Sequence, residues 1–449
     1  MEAVPTIEHK KPHVVFIPFP SQSHMKCMLK LARLVHHKGL NVTFINTEST
    51  HKRLVKSGGT CGLDEAPGFQ FKTVPDGLSY QIQTSERVSE YLADNFLDSF
   101  LDLVSRLDTP VSCIVSDGVM AFAKTPYAAE KLRVPIILHW TFAACGFIGF
   151  YQAKVLMEKG IVPLKDESYL TNGYLDTLLL LNQIREKESE NSNFSGYSLW
   201  KEEPECLQWL QSKEPDSVVY VNFGSLAVMS LQDLVEFGWG LVNSNHYFLW
   251  IIRADMIDGK PAFLPPELEE VIKRRGFIAT WCSQEEVLNH PSIGGFLTHG
   301  GWGSVIESLS AGVPMICCPF SADQKINCAQ ISKEWEVGME IERNVKRDEV
   351  EKRVRELMEG VEGARVRKKA MEWKKMAEIS TGPNGSSSLN IEELVTEILA
   401  SLDAVYDGDE GGWYNRELGK WQRRWWVNGK RRKSGSGSDG LDGGGKGFL

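Results

Sequence analysis

Short apolar runs alternate with helical stretches twice along this chain, and few folds accept such a rhythm. The first series comprises residues 13–20 (HVVFIPFP), 41–46 (NVTFIN), 70–74, 113–116 (CIVS) and 134–139 (VPIILH). Residues 25–37 lie between the first two with apolar side chains at helical spacing, and Gly39 follows as a stop. The second series comprises 217–223 (SVVYVNF), 247–252, 277–281, 295–298, 314–318 and 337–341, with helical stretches at 232–242 and 347–358. Continuous apolar runs of this length match strands covered on both faces, and strand–helix–strand order predicts right-handed crossovers and parallel sheets. The chain is therefore expected to be α/β, with two doubly wound, Rossmann-like parallel-sheet domains facing across a cleft. In such sheets ligands bind beyond the carboxyl ends of the strands.

The rhythm breaks near Asp176, and residues 185–198 (REKESENSNFSGYS) are polar enough to read as a linker. The expected divisions are a first domain at 1–183, a linker at 184–198, a second domain at 199–403 and a tail at 404–449. In the tail, Lys and Arg gather between 416 and 433 among Trp413, Trp421, Trp425 and Trp426, and 434–449 is rich in Gly and Ser. Basic residues mixed with tryptophans can contact nucleic acid or a membrane surface, but a stretch without periodicity reads first as unstructured. Asp407 and Asp409 resemble a carboxylate pair for a metal–nucleotide complex, yet they lie outside any strand end and are discounted.

Composition narrows the function. At 449 residues and 42% hydrophobic, the chain can bury two or three cores. Its 50 Lys and Arg against 59 Asp and Glu leave a net charge of −9, which argues against a nucleic-acid partner. No basic segment followed by an apolar stretch opens the chain, and no apolar run reaches the roughly 18 residues of a membrane span. Residues 141–157 come nearest, but Gln152 and Lys154 interrupt them, as in a core helix. Nine cysteines without a paired CxxC spacing argue against a disulfide framework and a structural zinc. A soluble, cytoplasmic protein, expected to be a monomer, follows.

The densest chemistry lies in residues 281–324 (WCSQEEVLNHPSIGGFLTHGGWGSVIESLSAGVPMICCPFSADQ). Gly300-Gly301-Trp302-Gly303-Ser304 follows a strand and opens a helix expected at 304–310, so backbone N–H groups at the helix mouth can hold an anion. His299 and Ser304 add donors. Glu307, one turn further along, suits a ribose diol, and Trp281 at a strand end suits a planar base. Asp323 and Gln324, past another strand end, suit sugar hydroxyls. One glycine turn alone is a common feature of α/β domains; the combination indicates a nucleotide-sugar site. A dinucleotide dehydrogenase is disfavoured, because no GxGxxG follows the first strand. In the first domain, His24 lies between strand and helix, and Asp117 closes another strand end. An Asp bonded to one imidazole nitrogen fixes the tautomer and lets the other nitrogen take a proton.

The 281–324 segment resembles the signature box of plant UDP-glycosyltransferases, a family with the two-domain GT-B fold. Pro18–His24 (PFPSQSH), Leu31-Ala32, 42–48 (VTFINTE) and 219–225 (VYVNFGS) resemble the same family, and the similarity covers roughly 13–176 and 199–402. Within the family the chain is most similar to glucosyltransferases of diterpenoid or cyanohydrin alcohols, the steviol 13-O-glucosyltransferase type. The resemblance implies an inverting transfer of glucose from UDP-glucose to a hydroxyl or carboxyl of a small hydrophobic metabolite such as a terpenoid. It implies His24 and Asp117 as a catalytic dyad, with no cofactor and no metal. Trp281 would stack on uracil, with the Cys282 backbone at the base edge and Gln284 nearby in the donor site. Glu307 would hold the ribose, and His299, Ser304 and Ser225 the pyrophosphate. Trp302, Asp323 and Gln324 would meet the sugar, with Thr141 reaching it from the other domain.

The chain departs from the family pattern in four places. Gly303 stands where Asn is usual, Gly300 where Cys is usual and Ser23 where Gly is common. Weaker donor binding with retained function is expected from these. Between Asp176 and Leu199, several dozen residues are absent by resemblance, including the last strands of the first domain and part of the acceptor wall. A second expectation follows: a chain that binds the nucleotide sugar but is catalytically impaired.

Overall fold

The structure is a computed structural model that describes residues 11–60, 62–63, 66–76, 85–144, 146–147, 197–257 and 264–406. Expectations for the helix at 141–157, for the linker and shortened join, and for the basic, tryptophan-rich tail fall largely or wholly outside these residues. Met1–Leu399 forms one compact unit that holds both sheets, and Ala400–Leu449 a second, of which 400–406 are described.

All eleven expected strands are present. The first sheet contains β1 (His13–Ile17), β2 (Asn41–Thr47), β3 (Phe69–Val74), β4 (Cys113–Asp117) and β5 (Ile136–His139), in spatial order β3-β2-β1-β4-β5. The second contains β6 (Val218–Asn222), β7 (Tyr247–Ile251), β8 (Gly276–Ala279), β9 (Ile293–Thr298), β10 (Met315–Cys317) and β11 (Gly338–Glu340), in order β11-β10-β9-β6-β7-β8. Every pairing is parallel. Strand order reverses between β1 and β4 in one sheet and between β6 and β9 in the other. Those two switch points are where loops leave on opposite sides and open a crevice.

Burial follows strand periodicity. In the first sheet, Val14, Phe16, Val42, Phe44, Cys113 and Val115 pack on one face, while Val15, Ile17, Ile45 and Ile114 pack on the other. In the second, Val219, Val221, Phe248 and Trp250 oppose Val218, Tyr220, Leu249 and Ile251. Both faces are thus covered by helices, which is why the strands read as unbroken apolar runs. β1 ends sooner than its sequence run, because Pro18 and Pro20 cannot donate to a ladder. Gly39, at φ +93°, ends the helix Gln22–His37 in the left-handed conformation and donates its N–H to His36 O at 2.8 Å.

The helix Ser386–Tyr406 buries Val395 and Ile398 in the cluster beneath β1 and β2, so the chain's last described element returns to the first sheet. Lys38 and Glu392 pair beside it. Replacing Ile398, 1% exposed, by alanine is expected to cost about 2–5 kcal/mol of stability. Urea unfolding followed by tryptophan fluorescence measures this as a lowered midpoint.

Candidate active site

At the carboxyl end of β1 the chain turns at Ser21, which N-caps the helix Gln22–His37 with extended backbone (φ −126°, ψ 157°). His24 lies in that helix's first turn, 19% exposed, with its ring edge-on to Phe19 at 5.2 Å. Its Nδ1 stands 2.7 Å from Asp117 Oδ2 and 2.8 Å from Thr141 Oγ1. Asp117 ends β4 and is fully buried; its other oxygen accepts from Val119 N at 3.0 Å, capping the short helix Gly118–Ala123. Because a carboxylate only accepts, the shared proton belongs on Nδ1, and Nε2 is left as the basic nitrogen. Thr141, expected at the sugar, is here brought onto His24. The approach of Trp140, whose ring would lie 2.4 Å from a Cβ on Gly118, packs the 140–141 segment against the end of β4.

Across the cleft, the switch point of the second sheet carries the loops after β6 and β9. Asn222 Oδ1 accepts from Gly224 N at 2.9 Å, and Gly224 turns with φ +76°. His299, directly after β9, packs between two glycines. A Cβ at Gly224 would stand 2.5 Å from its Cε1, and one at Gly301 2.4 Å from its Nε2, so the imidazole itself demands glycine at both positions. Burial, and then the Arg253 cation, push the His299 pKa down to about 4, so the ring is neutral at pH 7 and can donate one N–H. The helix Trp302–Ala311 starts two residues earlier than expected. Gly301 is its N-cap with no side-chain cap, so its first-turn amides face the cleft as an anion site.

One amide organises the next turn. Gln284 Nε2 donates to Ser304 Oγ at 3.0 Å and to Glu307 Oε2 at 2.7 Å. Its Oε1 accepts from Asn222 Nδ2 at 2.9 Å and from Tyr220 OH at 3.3 Å, which fixes the carboxamide's orientation. Glu307 Oε1 accepts from Lys26 Nζ at 2.8 Å, and Lys26 is two residues beyond His24 on the other domain's helix. Lys26 also meets Glu285 Oε1 at 2.9 Å, and Lys30 pairs with the same oxygen. Burial alone would raise Glu285; the two ammonium groups hold it at about 2 instead. Burial likewise works against Lys26, but Glu307 and Glu285 hold its proton affinity above the usual lysine range. Sequence spacing gave no sign of this cluster, whose partners are distant in the chain.

The remaining expected residues gather around the same end of the sheet. Trp281 is 8% exposed, with one face stacked on Trp200 at 5.6 Å and 26° between planes. Cys282 is buried, with Sγ 3.4 Å from Tyr220 OH. Ser225 and Trp302 are half-buried; Gly303 is exposed, and a Cβ there would meet nothing within 4 Å. Gln324 Oε1 accepts from Phe320 N at 2.8 Å and Ser321 N at 3.0 Å, tying the loop after β10. Asp323 Oδ2 accepts from Asn327 Nδ2 at 3.0 Å. Burial raises the Asp323 pKa, while the Asn327 bond and the charge of His24 oppose the rise. A Cβ on Gly146, in the first domain, would stand 3.3 Å from Asp323 Cβ, so the two halves of the cleft meet at this carboxyl.

Two parallel-sheet domains, with a His–Asp pair at strand ends of the first and a glycine-opened helix mouth at the switch point of the second, have the two-domain GT-B architecture. Solved GT-B structures share the architecture. Os79 from O. sativa in complex with UDP superposes with a TM-score of 0.69 at 23% identity, covering 86% of this chain and all of that one. A UDP-glucose: anthocyanidin 3-O-glucosyltransferase in complex with UDP gives 0.68 at 24%, covering 87% and 99%. The family model "UDP-glucoronosyl and UDP-glucosyl transferase" matches residues 201–373. The chain is 56% identical to UDP-glycosyltransferase 85C1 of Stevia rebaudiana over 480 aligned residues, taking in 89% of this chain and 99% of that one. It is 45% identical to a 7-deoxyloganetin glucosyltransferase of Gardenia jasminoides, with 87% and 98% covered. The chain belongs to the UDP-glycosyltransferase family and is a glycosyltransferase. Among the described residues, no helix is long and apolar enough to cross a membrane.

Because His299 is neutral when folded and ordinary when unfolded, only the unfolded state takes its proton between pH 6.5 and about 4. Its contribution to stability is complete above pH 6.5 and lost as pH falls to about 4. Chemical denaturation of the wild type and His299→Gln across that window should show the wild type losing stability relative to the variant on acidification.

Proposed function

We propose that this chain transfers glucose from UDP-glucose to a hydroxyl of a small hydrophobic plant metabolite such as a terpenoid, with inversion and without a metal ion. The observation that carries the reading is the His24–Asp117 pair, held at 2.7 Å at the carboxyl end of the first sheet. The acceptor oxygen gives its proton to His24 Nε2 as it attacks the anomeric carbon from the face opposite UDP. The carbon–oxygen bond to UDP breaks, and the diphosphate carries away the electron pair. First-turn amides at Gly301–Ser304, a neutral His299 N–H and the Ser304 and Ser225 hydroxyls would stabilise that charge. Glu307 would take the ribose diol, Trp281 the uracil, and Asp323, Gln324 and Trp302 the hexose. The names of the relatives and solved structures, two glucosyltransferases and two proteins bound to UDP among them, support the donor.

A second reading has its own support. Eighty-nine per cent of a 449-residue chain cannot fill 480 aligned positions, so several dozen positions of the relative have no counterpart here. All four residues of β5, the last strand of the first sheet among those described, are part-exposed, whereas β1 and β4 are buried throughout. A shortened acceptor domain that binds UDP-glucose but turns over slowly fits both facts. UDP-induced thermal shift combined with glucoside formation from a panel of terpenoid and phenolic alcohols separates the readings. A clear shift with no glucoside rejects the transferase as formulated.

His24→Ala should lower turnover by about 10²–10⁴-fold while leaving the UDP shift intact; unchanged turnover removes His24 from the mechanism. Gly303 has room for a side chain, and a donor there would add a charge-assisted bond to the diphosphate. Gly303→Asn is therefore expected to lower the KM for UDP-glucose about tenfold, read by initial rates or, for an impaired chain, by calorimetric titration of UDP.

A further inference from the structure

Arg253 lies two residues beyond β7 and is 1% exposed, the second largest fully buried side chain among the described residues. None of its hydrogen bonds goes to the expected nucleotide contacts, and sequence reasoning did not single it out. Its guanidinium forks onto the loop after β6: one terminal nitrogen donates to Gly224 O and the other to Ala227 O at 2.8 Å. Nε donates to Asp255 Oδ1 at 3.0 Å, and the Asp255 side chain is 55% exposed. The loop so held contains Ser225, and its Gly224 lies against the ring of His299, which in turn lies against Gly301 at the helix mouth. Asp255, bathed in solvent, compensates a deeply buried cation only in part.

We propose that Arg253 is a positioning residue of the diphosphate site: it holds the 224–227 loop against His299 and places a fixed positive charge behind the groups that receive the departing UDP. The inference rests on the UDP-glucose reading above. An arginine remains protonated at any working pH, so the charge is permanent. Its field already acts on His299, whose proton affinity it lowers beyond the effect of burial. A diphosphate entering beside His299 would meet the same field with the opposite consequence, attraction. Loop and charge then have one origin, and a lysine would retain the charge without the fork.

The test uses the full chain and UDP as the probe. Asp255→Asn leaves Arg253 and both carbonyl bonds in place while removing the partial countercharge. It is expected to tighten UDP binding about two- to threefold at low salt, with the gain fading above about 0.5 M as screening shortens the reach of the field. Arg253→Lys should weaken UDP about fivefold or more, because the loop loses its two-point hold. In Arg253→Met the His299 imidazole resonances should titrate closer to the ordinary value than in the wild type. If that variant does not fold, Asp255→Asn should instead move the His299 titration further down. Wild-type protein that fails to respond to UDP overturns the nucleotide reading. A wild type that binds UDP while Asp255→Asn changes neither UDP affinity nor the His299 titration overturns the charge assigned to Arg253. An unchanged UDP affinity in folded Arg253→Lys overturns its hold on the loop.

Discussion

A parallel strand covered on both faces has no residue to spare for chemistry except where it ends. That constraint organises the whole chain. The two sheets consume their apolar runs in packing, and most of the candidate site groups emerge beyond strand ends: His24 after β1, Asp117 at the end of β4, Thr141 after β5, Ser225 after β6, His299 after β9, Asp323 and Gln324 after β10. The switch points decide which of those ends face the same crevice.

What joins the halves is electrostatic as much as apolar. Lys26 and Lys30 project from the helix that carries His24 and meet Glu285 and Glu307 on the other side. These groups are largely withdrawn from water, and ionic attraction there is far less screened than on an open surface. The same carboxylate, Glu307, is tied through Gln284 to Asn222 and Tyr220 in the floor of the second sheet. The facing sides of the two sheets therefore share one continuous polar network rather than two separate ones.

The fold was legible because it rests on local periodicity. All eleven strands fell within one to three residues of their sequence runs, and most overshoots were at prolines and loop residues that extend an apolar run without joining a ladder. Helix starts were less legible: Trp302 and Gly303 supply the first turn of a helix that glycine content placed later. The site was legible only in part. Motif spacing singled out His299, Ser304 and Glu307, and strand-end positions together with the family resemblance singled out His24 and Asp117, which stand 2.7 Å apart. Lys26, Asn222 and Arg253 were missed because their partners are set by tertiary packing; Lys26 and Glu307 are 281 positions apart. Thr141 shows what analogy left out: its hydroxyl stands 2.8 Å from His24 Nδ1, a contact the resemblance did not imply.

His24 and Lys26 ride one rigid helical turn, so the imidazole bonded to Asp117 and the ammonium bonded to Glu307 cannot be displaced independently. An α-helix advances only about 1.5 Å per residue, and its backbone bonds resist bending over so short a span. A bulky guest that wedges the crevice open would tilt that turn as a lever. The His24–Asp117 and Lys26–Glu307 bonds would then loosen in a single movement.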